Sequence, residues 1–211
     1  MLNVIGIMVL CSLVLLNVLI IITVFSKVSF WPPVQSKFKL LINWIPTVIF
    51  MGGIVVIGFL DWNSYKFDYL ILKFLGSGLI VVGLYIALKG VFYFNVMKTL
   101  GISQEGLSIM GIYSLTRNPQ YVGDIIWLSG YLLLTNSLFL CLLIPLAIGW
   151  FLLAPRAEEP LLLKLYQQDY VNYSQSTPRF LNYSCTVKYL RNSLNPKVPK
   201  NTEFDKPPRN I

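Results

Sequence analysis

One arginine, two adjacent glutamates and several tyrosines are the side chains of this sequence best suited to hold a small charged molecule. Arg117 opens the run Arg117-Asn118-Pro119-Gln120-Tyr121-Val122-Gly123-Asp124, preceded by Tyr113. Glu158 and Glu159 follow further along, and Tyr170 and Arg179 after them. A guanidinium pairs with a carboxylate or phosphate in a planar two-bond fit, and carboxylates accept from ammonium and hydroxyl groups. Such a set suits a zwitterionic or charged cofactor. Histidine is absent, which removes the commonest general base at neutral pH and the commonest metal ligand. Of the three cysteines, Cys11 and Cys141 sit in apolar runs and none has a CxxC partner, so neither metal nor disulfide is expected.

The elements that position these groups are apolar. Of 211 residues, 55% are hydrophobic and 12% charged, a balance that belongs to lipid rather than water. Asn3 to Phe25 is 23 residues without a charge, which at 1.5 Å per residue reaches roughly 35 Å and crosses the hydrocarbon core. A signal peptide fits poorly, because no basic stretch leads the run and Lys27 follows it. Leu40 to Leu60 and about Tyr69 to Phe94 predict second and third helices, separated from the first by a surface loop carrying Trp31-Pro32-Pro33. The apolar stretch from Tyr121 to Ala154 is broken at Thr135-Asn136-Ser137, which predicts a tight hairpin of helices Tyr121 to Thr135 and Leu138 to Ala154. The expectation is an all-α, polytopic membrane protein of about five transmembrane helices, in one domain over 1–183, with a loosely ordered basic tail over 184–211.

Five crossings place the termini on opposite sides. The net charge of +8 arises from 17 Lys and Arg against nine Asp and Glu, and nine of the basic residues lie from Arg156 to Arg209. Lys27, Lys37, Lys39, Lys98, Arg117 and the tail fall on one side, so the amino terminus is expected outside or in the lumen and the tail in the cytoplasm. The basic excess then reads as attraction to an anionic membrane surface, with the lipid bilayer and not nucleic acid as partner. The sequons at Asn172 and Asn182 would lie on the cytoplasmic side and stay unmodified.

A hairpin returns its two ends to one membrane face, so Arg117, Glu158 and Glu159 should become neighbours at a cytosolic mouth. The competing reading is that Arg117 and Arg156 anchor helix ends at head groups while the glutamates are solvated. Asp124 stands one turn inside the fourth helix, where an ionisable group needs a partner or water; capping and a substrate-facing role are both open. Gly76, Gly78 and Gly83 on the third helix fit close helix packing, and the alternative is room for a flat cofactor.

Gly111-Ile112-Tyr113, the run from Arg117 to Gly123, the hairpin, Glu158-Glu159, Asp169-Tyr170 and Thr177-Pro178-Arg179-Phe180 together resemble the isoprenylcysteine carboxyl methyltransferase and phospholipid methyltransferase family, over residues 76–181. The resemblance implies S-adenosylmethionine bound at the cytosolic face. Arg117 and Glu159 would serve the reaction, and Tyr113, Asn118, Pro119, Tyr121, Glu158, Gly76 and Gly78 would join them around the cofactor. Asp124, Tyr170 and Arg179 would face the acceptor, a lipophilic or small molecule entering from lipid between the third and fourth helices. Asn118 stands where the family has histidine, which keeps hydrogen bonding and loses a titratable group. Asp124 after Gly123 also resembles the motif of NADPH-dependent sterol reductases, although Gln120 departs from it, and this is the rival enzyme reading. A transporter or scaffold is the third, against which stand the absence of a repeat and the gathering of polar residues at one face.

Overall fold

In a computed structural model, described for residues 1–26, 28–33, 36–66, 69–94, 107, 109 and 111–181, the described residues form five α-helices and one 3₁₀ turn with no strand. They are α1 (Leu2–Phe25), α2 (Lys37–Leu60), α3 (Leu70–Phe94), a 3₁₀ turn (Gly111–Ser114), α4 (Pro119–Thr135) and α5 (Leu138–Ser176). The predicted tail over 184–211 lies outside the described residues, as do Asn182, Lys27 and Lys98.

Local chemistry sets the boundaries. The Ser36 hydroxyl accepts from Lys39 N–H at the start of α2, and the Ser137 hydroxyl accepts from Leu140 N–H at the start of α5. Pro119 occupies the first turn of α4, where its missing N–H leaves no bond unmade, and therefore α4 starts two residues before the apolar pattern does. Asn136 ends α4 in the left-handed conformation (φ 49°, ψ 43°). The predicted end of the fifth helix at Ala154 needs correction. Here α5 runs 39 residues through Pro155 and Pro160, with one non-helical residue, Gln167 (φ 45°, ψ −121°). Proline removes one N–H and displaces the carbonyl of the preceding turn, which bends a helix without having to end it.

All five helices run between the same two ends. At one, Asn63 N–H donates to Thr135 C=O at 2.7 Å and Tyr65 N–H to Asn136 C=O at 2.9 Å. At the other, the Tyr113 hydroxyl donates to Gly90 C=O at 3.2 Å and Trp31 reaches Glu158. Val9, Leu13 and Leu16 of α1, Phe50, Ile54 and Ile57 of α2, Leu128 of α4 and Leu140, Ile144 and Phe151 of α5 form the buried centre. Outward faces are apolar too: Ile71, Phe74, Val81, Leu88 and Phe92 of α3 are each more than half exposed, a pattern that water penalises and lipid does not. Four helices, all but α4, are long and apolar enough to cross a membrane; α4 has 17 residues, about 25 Å at 1.5 Å each.

Helix α3 packs on α4 through glycines. A Cβ at Gly83 would lie 2.4 Å from Trp127 N and 2.7 Å from Gly123 O, one at Gly123 would lie 2.4 Å from Ala87 N, and one at Gly130 would lie 2.6 Å from Gly76 O. Backbone meets backbone along the seam, which closes the lipid-side entrance expected between the third and fourth helices. The packing reading of Gly76 and Gly83 is the one the fold uses.

Candidate active site

Glu159 lies in α5 just beyond Pro155, and two arginines reach it. Arg117 Nη1 donates to its Oε1 at 3.1 Å, while Arg179 donates Nε to Oε1 at 2.9 Å and Nη2 to Oε2 at 2.7 Å. The same Arg117 Nη1 donates to the Tyr170 hydroxyl at 3.0 Å, and the guanidinium lies 5.8 Å from the centre of that ring. Pairing with Glu159 raises the pKa of Arg179, so this arginine stays charged at every working pH. The kink at Gln167 lets the last turns of α5 change direction and bring Tyr170 and Tyr173 against Arg117.

The terminal segment is fastened from both sides. Arg117 N–H donates to Pro178 C=O at 2.9 Å, and the Arg179 carbonyl accepts from the Thr116 hydroxyl at 3.0 Å and from Asn118 Nδ2 at 2.9 Å. Asn118, although it precedes α4, makes no side-chain cap; its amide ties down the segment that delivers Arg179. The Tyr173 hydroxyl donates to Tyr113 C=O at 2.7 Å, and burial holds the Tyr113 phenol far above its ordinary pKa, hence neutral.

Glu158 points into a different setting. Its Oε1 accepts from Trp31 Nε1 at 2.7 Å and from the Tyr121 hydroxyl. Trp31 and Tyr121 both pack edge-on against Trp150, with ring centres 5.1 and 6.1 Å away. A recess next to the Arg117–Glu159 pair is lined by Leu107, Tyr113, Arg117, Asn118, Pro155, Leu162, Tyr170 and Tyr173. Among the described residues, Arg117 Nε is buried and has no acceptor. Unpaired buried N–H groups are rare because each forfeits its hydration. An anionic group bound in the recess would satisfy this one.

Of the residues singled out in the sequence, Tyr113, Arg117, Asn118, Tyr121, Glu158, Glu159, Tyr170 and Arg179 come together, and Pro119 begins the helix beside them. Gly76 and Gly78 do not. Both lie near the start of α3, whereas Gly90 near its other end marks the level of the site, a separation of about 20 Å at 1.5 Å per residue. The space above Gly76 is filled by the α4 backbone, and Gly78 faces away with nothing within 4 Å of an added Cβ. Asp124 is no cap: it is 8% exposed and its Oδ1 accepts from Trp127 Nε1 at 3.0 Å. Arg156 is exposed. Thr116 and Tyr173 lie in the polar clusters that the sequence marks around Arg117 and Tyr170, whereas Trp31 escapes the sequence reading. Tyr173 shares a helix face with Tyr170 at a spacing of three, a signal that was present; nothing in the spacing links Trp31 to Glu158.

Comparison with known proteins bears on the same stretch. Residues 71–169 match a family described as phospholipid methyltransferase. Over 116 residues the chain is 32% identical to the protein-S-isoprenylcysteine O-methyltransferase of Saccharomyces cerevisiae, covering 52% of this chain and 48% of that relative. The chain thus spans about half the length of the curated relative it matches. No solved structure matches. Arg117, Asn118, Tyr121, Glu158 and Glu159 all fall inside the segment that matches the phospholipid methyltransferase family, and the resemblance that their motifs carry is to that family and to the isoprenylcysteine methyltransferase type of the yeast relative.

Proposed function

We propose that this protein transfers a methyl group from S-adenosylmethionine to a lipophilic or small acceptor at the membrane. The observation that carries the reading is the buried Arg117 Nε without an acceptor, on a side chain that both lines a recess and holds Glu159. The family match supports the reaction class. The cofactor is a zwitterion with a carboxylate, an ammonium and ribose hydroxyls, and the side chains here are complementary to each: Arg117 to the carboxylate, Glu158 and Glu159 to the ammonium or the hydroxyls. When bound, it supplies a methyl group already activated on a sulfonium, so no imidazole is needed.

The chain's own work is to bind, to align and to exclude water. Arg179, by holding both oxygens of Glu159, fixes that carboxylate, while Arg117 keeps its buried Nε to offer. Tyr113 and Tyr173, neutral and bonded to backbone carbonyls, wall the recess. Asp124, on the same face of α4 as Tyr121 and one turn deeper, faces the acceptor. The acceptor class is a prenylcysteine carboxylate, a phospholipid amine, a thiol or another small lipophile. With the positive-side argument, the site lies at the cytoplasmic face and the amino terminus opposite.

Purified protein in detergent should gain thermal stability with S-adenosylhomocysteine, by about 2.7 kcal/mol at a hundredfold excess over Kd. NADPH should give none. Stabilisation by NADPH and not by S-adenosylhomocysteine would replace methyl transfer with the reductase reading. Function that persists in both Arg117→Ala and Glu159→Gln would favour a transporter or scaffold.

A further inference from the structure

The matched segment begins at residue 71, yet one of the two donors to Glu158 comes from the loop between α1 and α2. Trp31 is 6% exposed, its ring centre lies 5.1 Å from that of Trp150 and 6.3 Å from that of Trp44, and its Nε1 donates to Glu158 Oε1 at 2.7 Å. The loop is built to keep it there. The Thr23 hydroxyl, itself donating to Leu19 C=O at 2.8 Å, accepts from Phe30 N–H at 2.9 Å and Trp31 N–H at 3.4 Å. Asn43, 1% exposed, donates its amide to Phe30 C=O at 3.1 Å and Lys39 C=O at 2.8 Å. One polar residue on each helix of the amino-terminal hairpin therefore grips the backbone that carries Trp31.

The consequence lies in which oxygen is engaged. Trp31 and Tyr121 both donate to Oε1 of Glu158. A carboxylate held twice on one oxygen cannot rotate freely, and its other oxygen is the one left for a ligand. We infer that Trp31 is a positioning residue: with Tyr121 it fixes Glu158 so that Oε2 is presented to the bound cofactor, and the site is complete only when the amino-terminal hairpin is in place. The inference rests on the methyl-transfer reading above.

A cycle of full-length variants in detergent tests it, with S-adenosylhomocysteine as probe and calorimetry as readout. Trp31→Phe keeps an aromatic ring between Trp44 and Trp150 and deletes the donor together with part of the ring system, a packing loss that the Glu158→Gln background controls for. A hydrogen bond to a charged group sets the scale, so affinity should fall about tenfold. Glu158→Gln should weaken binding further, and Trp31→Phe added to Glu158→Gln should cost nothing more, because the indole acts only through that carboxylate. Thr23→Val, which loosens the loop without touching the aromatic cluster, should give roughly a threefold loss that also vanishes beside Glu158→Gln. This variant decides the matter should Trp31→Phe fail to fold. Wild-type affinity in Trp31→Phe, or an equal loss with and without Glu158→Gln, overturns the positioning role while methyl transfer stands. A wild-type chain that binds no S-adenosylhomocysteine overturns both.

Discussion

At the Asp61 end of the bundle, polar side chains close the turn between α4 and α5 by bonding mostly to its backbone and hydroxyls. The Asp61 carboxylate accepts from the Ser137 hydroxyl at 2.6 Å, from Ser64 at 2.8 Å and from Phe139 N–H at 3.1 Å, and Asn136 donates its amide to Tyr65 C=O at 2.7 Å. At the Arg117 end, charges meet charges. Two arginines share one glutamate, a second glutamate is held by an indole and a phenol, and a buried guanidinium N–H is left over. The first arrangement is finished without a ligand; the second is not. Bilayer-spanning bundles need both ends to satisfy helix termini, so polarity alone does not mark a site, whereas an unpaired donor on a charged side chain that lines a recess does.

The sharpest way to break this contrast is Glu159→Gln. It removes the charge that balances Arg117 and Arg179 while keeping an oxygen in place. Binding of S-adenosylhomocysteine should fall at least a hundredfold, close to 3 kcal/mol. Without ligand, stability should drop by about 1–2 kcal/mol, less than for a fully buried pair because these side chains are 13–32% exposed. Calorimetry and thermal unfolding give the two numbers. Unchanged binding would make the Arg117 end a second structural cap.

A second test acts on the seam between the two ends. Gly123→Ala should destabilise by about 1–3 kcal/mol through overpacking against the α3 backbone. Gly78→Ala should be neutral or stabilising by up to about 1 kcal/mol, since its Cβ meets nothing and alanine is the better helix former. Equal effects on unfolding would mean that the glycine contacts do not position the site.

The chain announces some of this and hides the rest. Uncharged apolar runs mark α1, α2 and α3 to within three residues, because lipid imposes length and composition directly. Thr135-Asn136-Ser137 marks the hairpin, because few residues accept the left-handed conformation that Asn136 adopts. From the hairpin follows the meeting of Arg117 with Glu159. The far half of α5 is concealed, since Pro155, Pro160 and a charged stretch read as an ending, and the turn at Gln167 has no glycine to reveal it. Trp31 is concealed more deeply. Its contact with Glu158 joins residues 127 apart and depends on how α1 and α5 pack, for example through Asn17 Nδ2 and Leu146 C=O at 3.1 Å. Periodicity reports the face of a helix; it does not report which loop folds over that face.

The smallest expected effect belongs to the finished end and sharpens the comparison by its silence on binding. Asp61→Asn keeps one acceptor oxygen but cannot satisfy three donors as a carboxylate does, so stability should fall by about 1 kcal/mol near neutral pH. Affinity for S-adenosylhomocysteine should not change. Burial by itself would raise the Asp61 pKa; the hydrogen bonds from the Ser137 hydroxyl, Phe139 N–H and the Ser64 hydroxyl outweigh it and hold the group below its ordinary value. A folded pKa below the unfolded one, about 3.9, means that the charged form contributes stability above that unfolded value and loses it as pH falls through the lower, folded pKa. The wild-type advantage over Asp61→Asn should therefore be constant from pH 7 to 5 and shrink below about pH 4, as unfolding melts at each pH would record. An advantage independent of pH would show that the carboxylate's charge does no work in capping α5, and a change in ligand affinity would show that the two ends are coupled after all.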